Sequence, residues 1–330
     1  MIARLMIPGL VFGVTAVATM AVLWGSRRWG VVDVPNERST HVMPTPTMGG
    51  IAISMGIFSG ALMISLPGSQ RVGLLLVLAV LLVAVADNIG RPLAVGHKLA
   101  LQLAAAASWA LCAPAAPIQL TTEMVLAPGV LTAAISVTWL LWVMNVFNFM
   151  DGIDGFTGSQ TIAMCVGLAL LLPIDAPLGQ LPPVVIAACL GFLLFNLPPA
   201  RIFMGDVGSL SLGFIVGVMV LAVAGEGIPM WLAAMPLTLY FVDTTYTIGR
   251  RLQRGDNVLR AHREHLYQRL VQAGWSHLQV DGAAFVVTGL FVAAAVSVAD
   301  GAYTLGPACA AVGVLVLLAG LWWQERRRHV

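Results

Sequence analysis

Eleven long apolar runs follow one another through this chain, near positions 2-24, 49-66, 72-86, 98-113, 130-147, 156-173, 182-198, 209-224, 230-249, 281-299 and 305-323. A helix needs about 20 residues to cross a hydrocarbon core of about 30 Å, and these runs approach that length. Their apolarity is continuous rather than alternating, which argues against a closed barrel. Backbone in lipid must satisfy its own hydrogen bonds, so helices remain. Charged residues make up only 10% of the chain and hydrophobic ones 59%, whereas a soluble domain carries about 25% charged. The expected fold is therefore all-α: a polytopic integral membrane protein of about eleven transmembrane helices, one domain over 1-330. Ala16-Val17-Ala18 has the form of a leader cleavage site, but its run continues to Trp24, so it reads as a retained first helix.

Basic residues give the expected orientation. If the loops alternate sides, one side receives Arg27, Arg28, Arg38, Arg91, Lys98, Arg201, the group from Arg250 to Arg269, and Arg326, Arg327 and Arg328, while the other receives Arg4 and Arg71. The positive-inside rule makes the rich side cytoplasmic, with the N-terminus outside and the C-terminus inside. Trp24, Trp231, Trp322 and Trp323 fall at run ends, where interfacial anchors belong. The net charge of +2 is small, and the basic residues track helix ends, so they point to membrane lipids and anionic substrates and not to nucleic acid. The four cysteines stand singly in or beside apolar runs and read as small buried hydrophobes.

Polar chemistry gathers on the same side. Asp33, Arg38, His41, Asp87, Asp151, Asp154, Asp206, His262 and His265 lie in five loops, 25-48, 87-97, 148-155, 199-208 and 250-280, all on the basic face. In Asn145-Val-Phe-Asn148-Phe-Met-Asp151-Gly152-Ile-Asp154-Gly155 two carboxylates lie three positions apart, each before a glycine that lets backbone approach a ligand. Paired carboxylates suit Mg²⁺, which usually shares them with substrate phosphates; Asp-Gly turns are the structural alternative. Gly205-Asp206-Val-Gly208-Ser209-Leu210 repeats this pattern at the start of a helix, as a cap or as a metal ligand. From Leu259 to Leu270 the spacing predicts an amphipathic helix with His262, His265 and Arg269 near one face, fit to bind an anion.

Taken in order along almost the whole chain, these segments resemble the polyprenyl-phosphate N-acetylhexosamine-1-phosphate transferases (glycosyltransferase family 4). Thr45-Pro46-Thr47-Met48-Gly49-Gly50 resembles the family's first cytoplasmic loop, Asp87 its acidic loop, and Asn145 to Gly155 and Gly205 to Leu210 its two aspartate motifs. The last loop, with His262 and His265-Leu266-Tyr267-Gln268-Arg269-Leu270, looks closer to the O-antigen-initiating bacterial subgroup than to the peptidoglycan branch. The chain departs at Asn88, where the family usually has a second aspartate, and an amide brings no second charge.

The resemblance implies transfer of an N-acetylhexosamine 1-phosphate from a UDP-sugar to undecaprenyl phosphate at the cytoplasmic face of the bacterial inner membrane, releasing UMP and starting a lipid-linked glycan. It implies Mg²⁺, with Mn²⁺ as the alternative ion, held by Asp206 and Asp151. Asp87 is the candidate to deprotonate or orient the lipid phosphate, Asp151 and Asp154 further catalytic candidates, and Asn145, Asn148, Lys98, His262, His265 and Arg269 the expected substrate contacts. Whether the chain works as a homodimer is left open. The competing class, a secondary transporter with Asp151, Asp154 and Asp206 as a proton or cation relay, wants its ionisable groups near the midplane. Here only Asp243 lies inside a run.

Overall fold

The computed structural model describes residues 2-35, 43-82, 94-113, 116-258, 260 and 262-326. Its helices, in chain order, are α1 (Ile2–Trp29), α2 (Gly49–Met63), α3 (Gly68–Leu82), α4 (Val95–Cys112), α5 (Val130–Phe149), α6 (Phe156–Leu171), α7 (Leu181–Asn196), α8 (Gly205–Gly225), α9 (Met230–Ala233), α10 (Thr238–Gln253), α11 (Leu266–Gln272), α12 (His277–Ala299) and α13 (Leu305–Arg326). Over its described part, each apolar run is mostly helical. Among the described residues, five helices are long and apolar enough to cross a membrane unaided, and four more are apolar with 15 or 16 residues. At about 1.5 Å per residue the short ones reach only about 24 Å.

Two small hairpins complete the secondary structure of the described residues. Strands β1 (Val32–Asp33) and β2 (Thr45–Pro46) pair antiparallel, Val32 opposite Pro46, and β3 (Ile118–Gln119) pairs with β4 (Val125–Leu126), Ile118 opposite Leu126.

The ninth run, 230-249, departs from a simple span. It divides into α9, a 3-10 turn at Met235–Leu237, and α10. Pro236 lies in that turn and brings no N–H to a helical ladder, which is reason enough for the break. Beyond it, α10 buries Asp243, Thr244, Thr247 and Arg251, a polar stripe at three- and four-residue spacing. The 259-270 segment also differs from expectation: its helix begins only at Leu266, with His265 as the N-cap residue, and His262 lies in the extended stretch before it.

The bundle is built around α8, whose apolar stretch is 94% buried, against 22% for α13 at the periphery. Helix α5 packs along α8, α1 against α2 and α7, α3 against α4, α6 against α7 and α12, and α12 against α13. Glycines at the crossings allow close approach, which is how helices associate where lipid removes the hydrophobic drive. A Cβ at Gly213 would meet Met144 Cα at 2.9 Å, and one at Gly191 would meet the Phe12 carbonyl at 2.6 Å. At one end of the bundle, the rings of Phe147, Tyr240, Phe156 and Tyr267 follow one another in that order, edge-on at the first contact and stacked at the other two, with centroids 5.1, 5.9 and 5.0 Å apart. This aromatic column ties α5, α6, α10 and α11 together beneath the polar residues described next.

Candidate active site

Asp206 anchors the site. It lies in the first turn of α8 without capping the helix, so its carboxylate is available for other contacts. Lys98 Nζ on α4 lies 2.7 Å from Oδ2, and Asn148 Nδ2 near the end of α5 donates to Oδ1 at 3.0 Å and to Ser209 Oγ at 3.1 Å. Three helices far apart in sequence thus converge on one carboxylate.

Past Asn148, α5 ends and the chain turns. Asp151 lies close enough to Asp206 for the latter's charge to act on it: burial above all, and then Asp206, push the Asp151 carboxyl up to about 7, against a hydrogen bond with Thr157. A second acid held near an anion at this cost is a pair that a cation would relieve. Among the described residues no three His, Cys, Asp or Glu side chains converge on a point. Mg²⁺ commonly takes only one or two carboxylates and fills the rest of its shell with water and substrate phosphate oxygens, so Asp206 and Asp151 fit it on donor chemistry.

Asp154 faces elsewhere. Its Oδ2 accepts from the Ala200 amide at 3.0 Å and lies 3.4 Å from His277 Nδ1, and its own amide donates to that nitrogen at 3.3 Å. It joins the 148-155 loop to the 197-204 segment and to the start of α12. Asn145 is likewise occupied: its Nδ2 donates to Gln102 Oε1 at 2.6 Å and to the Leu141 carbonyl at 2.7 Å, bridging α4 and α5 one turn below Asn148.

The glycines act differently from the expectation that they admit a ligand. A Cβ at Gly152 would land on the Tyr267 hydroxyl and 2.9 Å from Gln268 Nε2, so this glycine makes room for α11. Gly155 has φ +79°, a left-handed turn into α6 that suits glycine. Gly49 and Gly50 donate to the carbonyls of Phe203 and Met204, both at 2.8 Å, and a Cβ on Gly50 would meet the Gly208 backbone. The Thr45–Gly50 segment is thereby clamped to the turn that presents Asp206.

The histidines approach from the other flank. His265 is 3% exposed; its ring stacks on Phe149 with centroids 6.2 Å apart, and His262 lies 5.0 Å from it. Tyr267 Oη donates to the Phe149 carbonyl at 3.0 Å. The His262 imidazole is pulled down to about 4, by burial first and then by His265 and Arg251, so it is neutral at ordinary pH. It can therefore meet an anionic ligand as a neutral hydrogen-bonding group. Arg251 and Arg254 both hold Glu264, at 2.7 and 2.5 Å, fixing the loop that carries the histidines, and half-buried Arg269 closes the last turn of α11.

The structure thus gathers Lys98, Asn148, Asp151, Asp206, His262 and His265 at one end of the bundle, gives Asn145 and Asp154 joining roles, and leaves Asp87 outside the described residues, together with Arg38, His41 and Asn88. Sequence reasoning gave no individual role to Gln102, Ser209, Asp243, Tyr267, His277 or Asp281. The last is a buried carboxylate in α12 that receives Ser159 Oγ at 2.5 Å and Gln160 Nε2 at 3.0 Å. A polar residue inside an apolar run is the signal available for Asp243.

Known proteins are similar to this chain over most of its length. The profile of the family described as Glycosyl transferase family 4 matches residues 70-224. A probable undecaprenyl-phosphate N-acetylglucosaminyl 1-phosphate transferase of Bacillus subtilis is 29% identical over 261 residues, spanning 75% of this chain and 72% of the relative. A decaprenyl-phosphate N-acetylglucosaminephosphotransferase of Mycolicibacterium smegmatis is 31% identical over 294 residues (76% and 71%), and a phospho-N-acetylmuramoyl-pentapeptide-transferase of Synechococcus is 31% identical over 295 residues (81% and 84%).

Proposed function

Because this chain belongs to glycosyl transferase family 4 and is a polyprenyl-phosphate sugar-phosphate transferase, we propose that it transfers an N-acetylhexosamine 1-phosphate from a UDP-sugar to undecaprenyl phosphate, releasing UMP. The observation that carries this reading is the Asp206 carboxylate, held by Lys98 and Asn148 with Asp151 beside it, at the end of a membrane bundle. Both reactants are anions, so their approach needs charge neutralisation and alignment more than covalent chemistry. Mg²⁺, held by Asp206 and Asp151, would supply the divalent charge that joins the two phosphates. Lys98 adds a movable cation, Asn148 fixes the Asp206 carboxylate, and the uncharged His262 hydrogen-bonds the donor. Asp87 remains the candidate to take or orient the proton of the lipid phosphate.

The names of the Bacillus and Mycolicibacterium relatives make UDP-N-acetylglucosamine the first donor to try. The purified full chain is incubated with radiolabelled UDP-N-acetylglucosamine, undecaprenyl phosphate and Mg²⁺. Label should pass into a lipid-extractable product with one equivalent of UMP. Release of sugar without lipid product, or no turnover with any UDP-N-acetylhexosamine, would defeat the proposal. The pattern of the last loop favours a product that starts O-antigen or a related cell-envelope polysaccharide. A relay for transport finds less support, since the carboxylates Asp151 and Asp206 share one end of the bundle instead of lining a path through it.

Two predictions arise here. The polar end should face the cytoplasm of the inner membrane, so Gln253→Cys, exposed at the end of α10, is expected to react with an impermeant thiol reagent only from inside, and Thr122→Cys, exposed in the β3–β4 hairpin, only from outside. Both probes labelling from one side would overturn the orientation. The second concerns pH. His262 holds its proton only below about 4, under the usual 6.5, so no charge appears on it between about pH 6 and pH 9. The ratio of donor KM between His262→Gln and parent should therefore stay flat across that range. A ratio that climbs as pH falls through 6.5 would restore His262 as a cation.

A further inference from the structure

Asp243 sits in the membrane bundle with no part in the assignments above, yet it is 2% exposed and surrounded by donors. Its Oδ1 receives the Leu266 amide at 2.9 Å and the Thr247 hydroxyl at 3.2 Å, and lies 3.2 Å from His265 Nδ1; its Oδ2 receives the Tyr267 amide at 3.3 Å. A buried carboxylate is tolerated when hydrogen bonds satisfy it, and here they come from the first turn of α11, from α10 itself and from one imidazole. The backbone contacts alone would explain an acidic residue at this helix terminus. The contact with His265 does something more.

An ionised carboxylate only accepts hydrogen bonds, so the ring nitrogen facing it must carry the proton. Turning the ring over about its Cβ–Cγ bond would put the carbon Cδ2 at this contact in place of Nδ1 and lose the hydrogen bond to Asp243. We infer that Asp243 is a positioning residue, which locks His265 in the tautomer protonated on Nδ1 and so presents a bare Nε2, directed away from Asp243, to the substrates. The inference rests on the proposed function in taking His265 for a substrate contact. It changes what that contact recognises. A bare Nε2 accepts a hydrogen bond, so it selects a ligand group that still has a proton, such as a monoprotonated phosphate or a sugar hydroxyl, over a fully ionised diphosphate oxygen. Should the ring take up a second proton, Asp243 is the counter-charge already in place. An acid that orients and fixes the tautomer of a working imidazole is a recurring device in catalytic sites, and its loss at comparable positions costs about 10- to 100-fold.

Two measurements test this on the full chain in lipid nanodiscs. In the first, protein labelled with ¹⁵N-histidine is read for the protonation of each ring nitrogen, the His265 signals being identified by their loss in His265→Gln. The parent should show His265 as a single species with its proton on Nδ1. In Asp243→Asn that preference should weaken, because one end of the amide is itself a donor and the side chain can no longer accept from the ring and from both helix amides together. A parent ring protonated on Nε2, or an unchanged single species in Asp243→Asn, overturns the inference.

The second measurement is a double-mutant cycle on turnover with UDP-N-acetylglucosamine and undecaprenyl phosphate. Asp243→Asn should lose about 10- to 100-fold, and the double variant Asp243→Asn/His265→Gln should be no slower than His265→Gln alone. Multiplying losses would assign Asp243 to holding α11 and not to His265, and would overturn the inference. An unchanged rate in His265→Gln would instead remove His265 from the substrate contacts and so refute the proposed role of the bare Nε2, while the spectra still decide the tautomer itself.

Discussion

Replacing Asp206 with alanine is expected to lower sugar-phosphate transfer by about 10³-fold or more, a loss of the size seen when a preorganised charge on a reacting group is removed. Its Oδ2 pairs with Lys98 and its Oδ1 with Asn148, so the substitution takes away the carboxylate on which α4, α5 and α8 converge. Folding should suffer much less. Asp206 makes no helix-capping hydrogen bond, and Lys98 is 33% exposed and can turn its ammonium to water, so a destabilisation of about 1 kcal/mol is the right order for a partly exposed pair. The measurement is initial rate with saturating Mg²⁺, alongside the thermal unfolding midpoint and the elution profile in detergent. A variant that folds normally and keeps more than a tenth of the activity would take Asp206 out of the metal-binding role. Asp206→Asn sharpens the result. It keeps the shape and one acceptor but removes the charge, and should be nearly as inactive if charge is what the site needs.

Most of the architecture could be read from hydropathy because the bilayer imposes one rule on every span: an apolar stretch must be helical. Among the described residues the eleven runs coincide with helical stretches for that reason, and Pro236 was the local mark of the break in 230-249. The site was legible where a costly residue stands out against apolar sequence. Asp206, Asn148 and Lys98 did so, and the fold brings them together. What could not be read are facts of long-range packing. That Gly152 accommodates Tyr267, that Asn145 is occupied by Gln102 across a helix interface, and that Asp154 turns to Ala200 and His277 all depend on which surfaces meet. The periodicity of 259-270 misled because the Leu266 and Tyr267 amides are anchored on Asp243, which fixes where the helix starts and leaves His262 outside it. The charge of His262 was not legible from residue type either: burial beside a second imidazole and an arginine keeps the ring neutral.

Gly50→Ala should rank with Asp206→Ala in its effect on activity, by an entirely different route. Gly50 lies in the first turn of α2, its amide donates to the Met204 carbonyl at 2.8 Å, and a Cβ added there falls on the Gly208 amide nitrogen, 2.5 Å from Gly208 Cα and 2.7 Å from the Met204 carbonyl oxygen. All three are backbone atoms of the turn that carries Asp206, so no side chain can swing aside. Either the helices part or the first turn of α8 shifts, and both move Asp206 relative to Lys98 and Asn148. A displacement near 1 Å in a positioned catalytic group can cost about 10²-fold in rate, and overpacking of this kind about 1–3 kcal/mol in stability. The control is Gly289→Ala in α12, where an added Cβ meets nothing within 4 Å and alanine favours the helix. The expected pattern is a loss of about 100-fold with a lowered unfolding midpoint for Gly50→Ala, and parent-like behaviour for Gly289→Ala. If Gly50→Ala retains activity within threefold of the parent, the close contact between the starts of α2 and α8 does not set the position of Asp206.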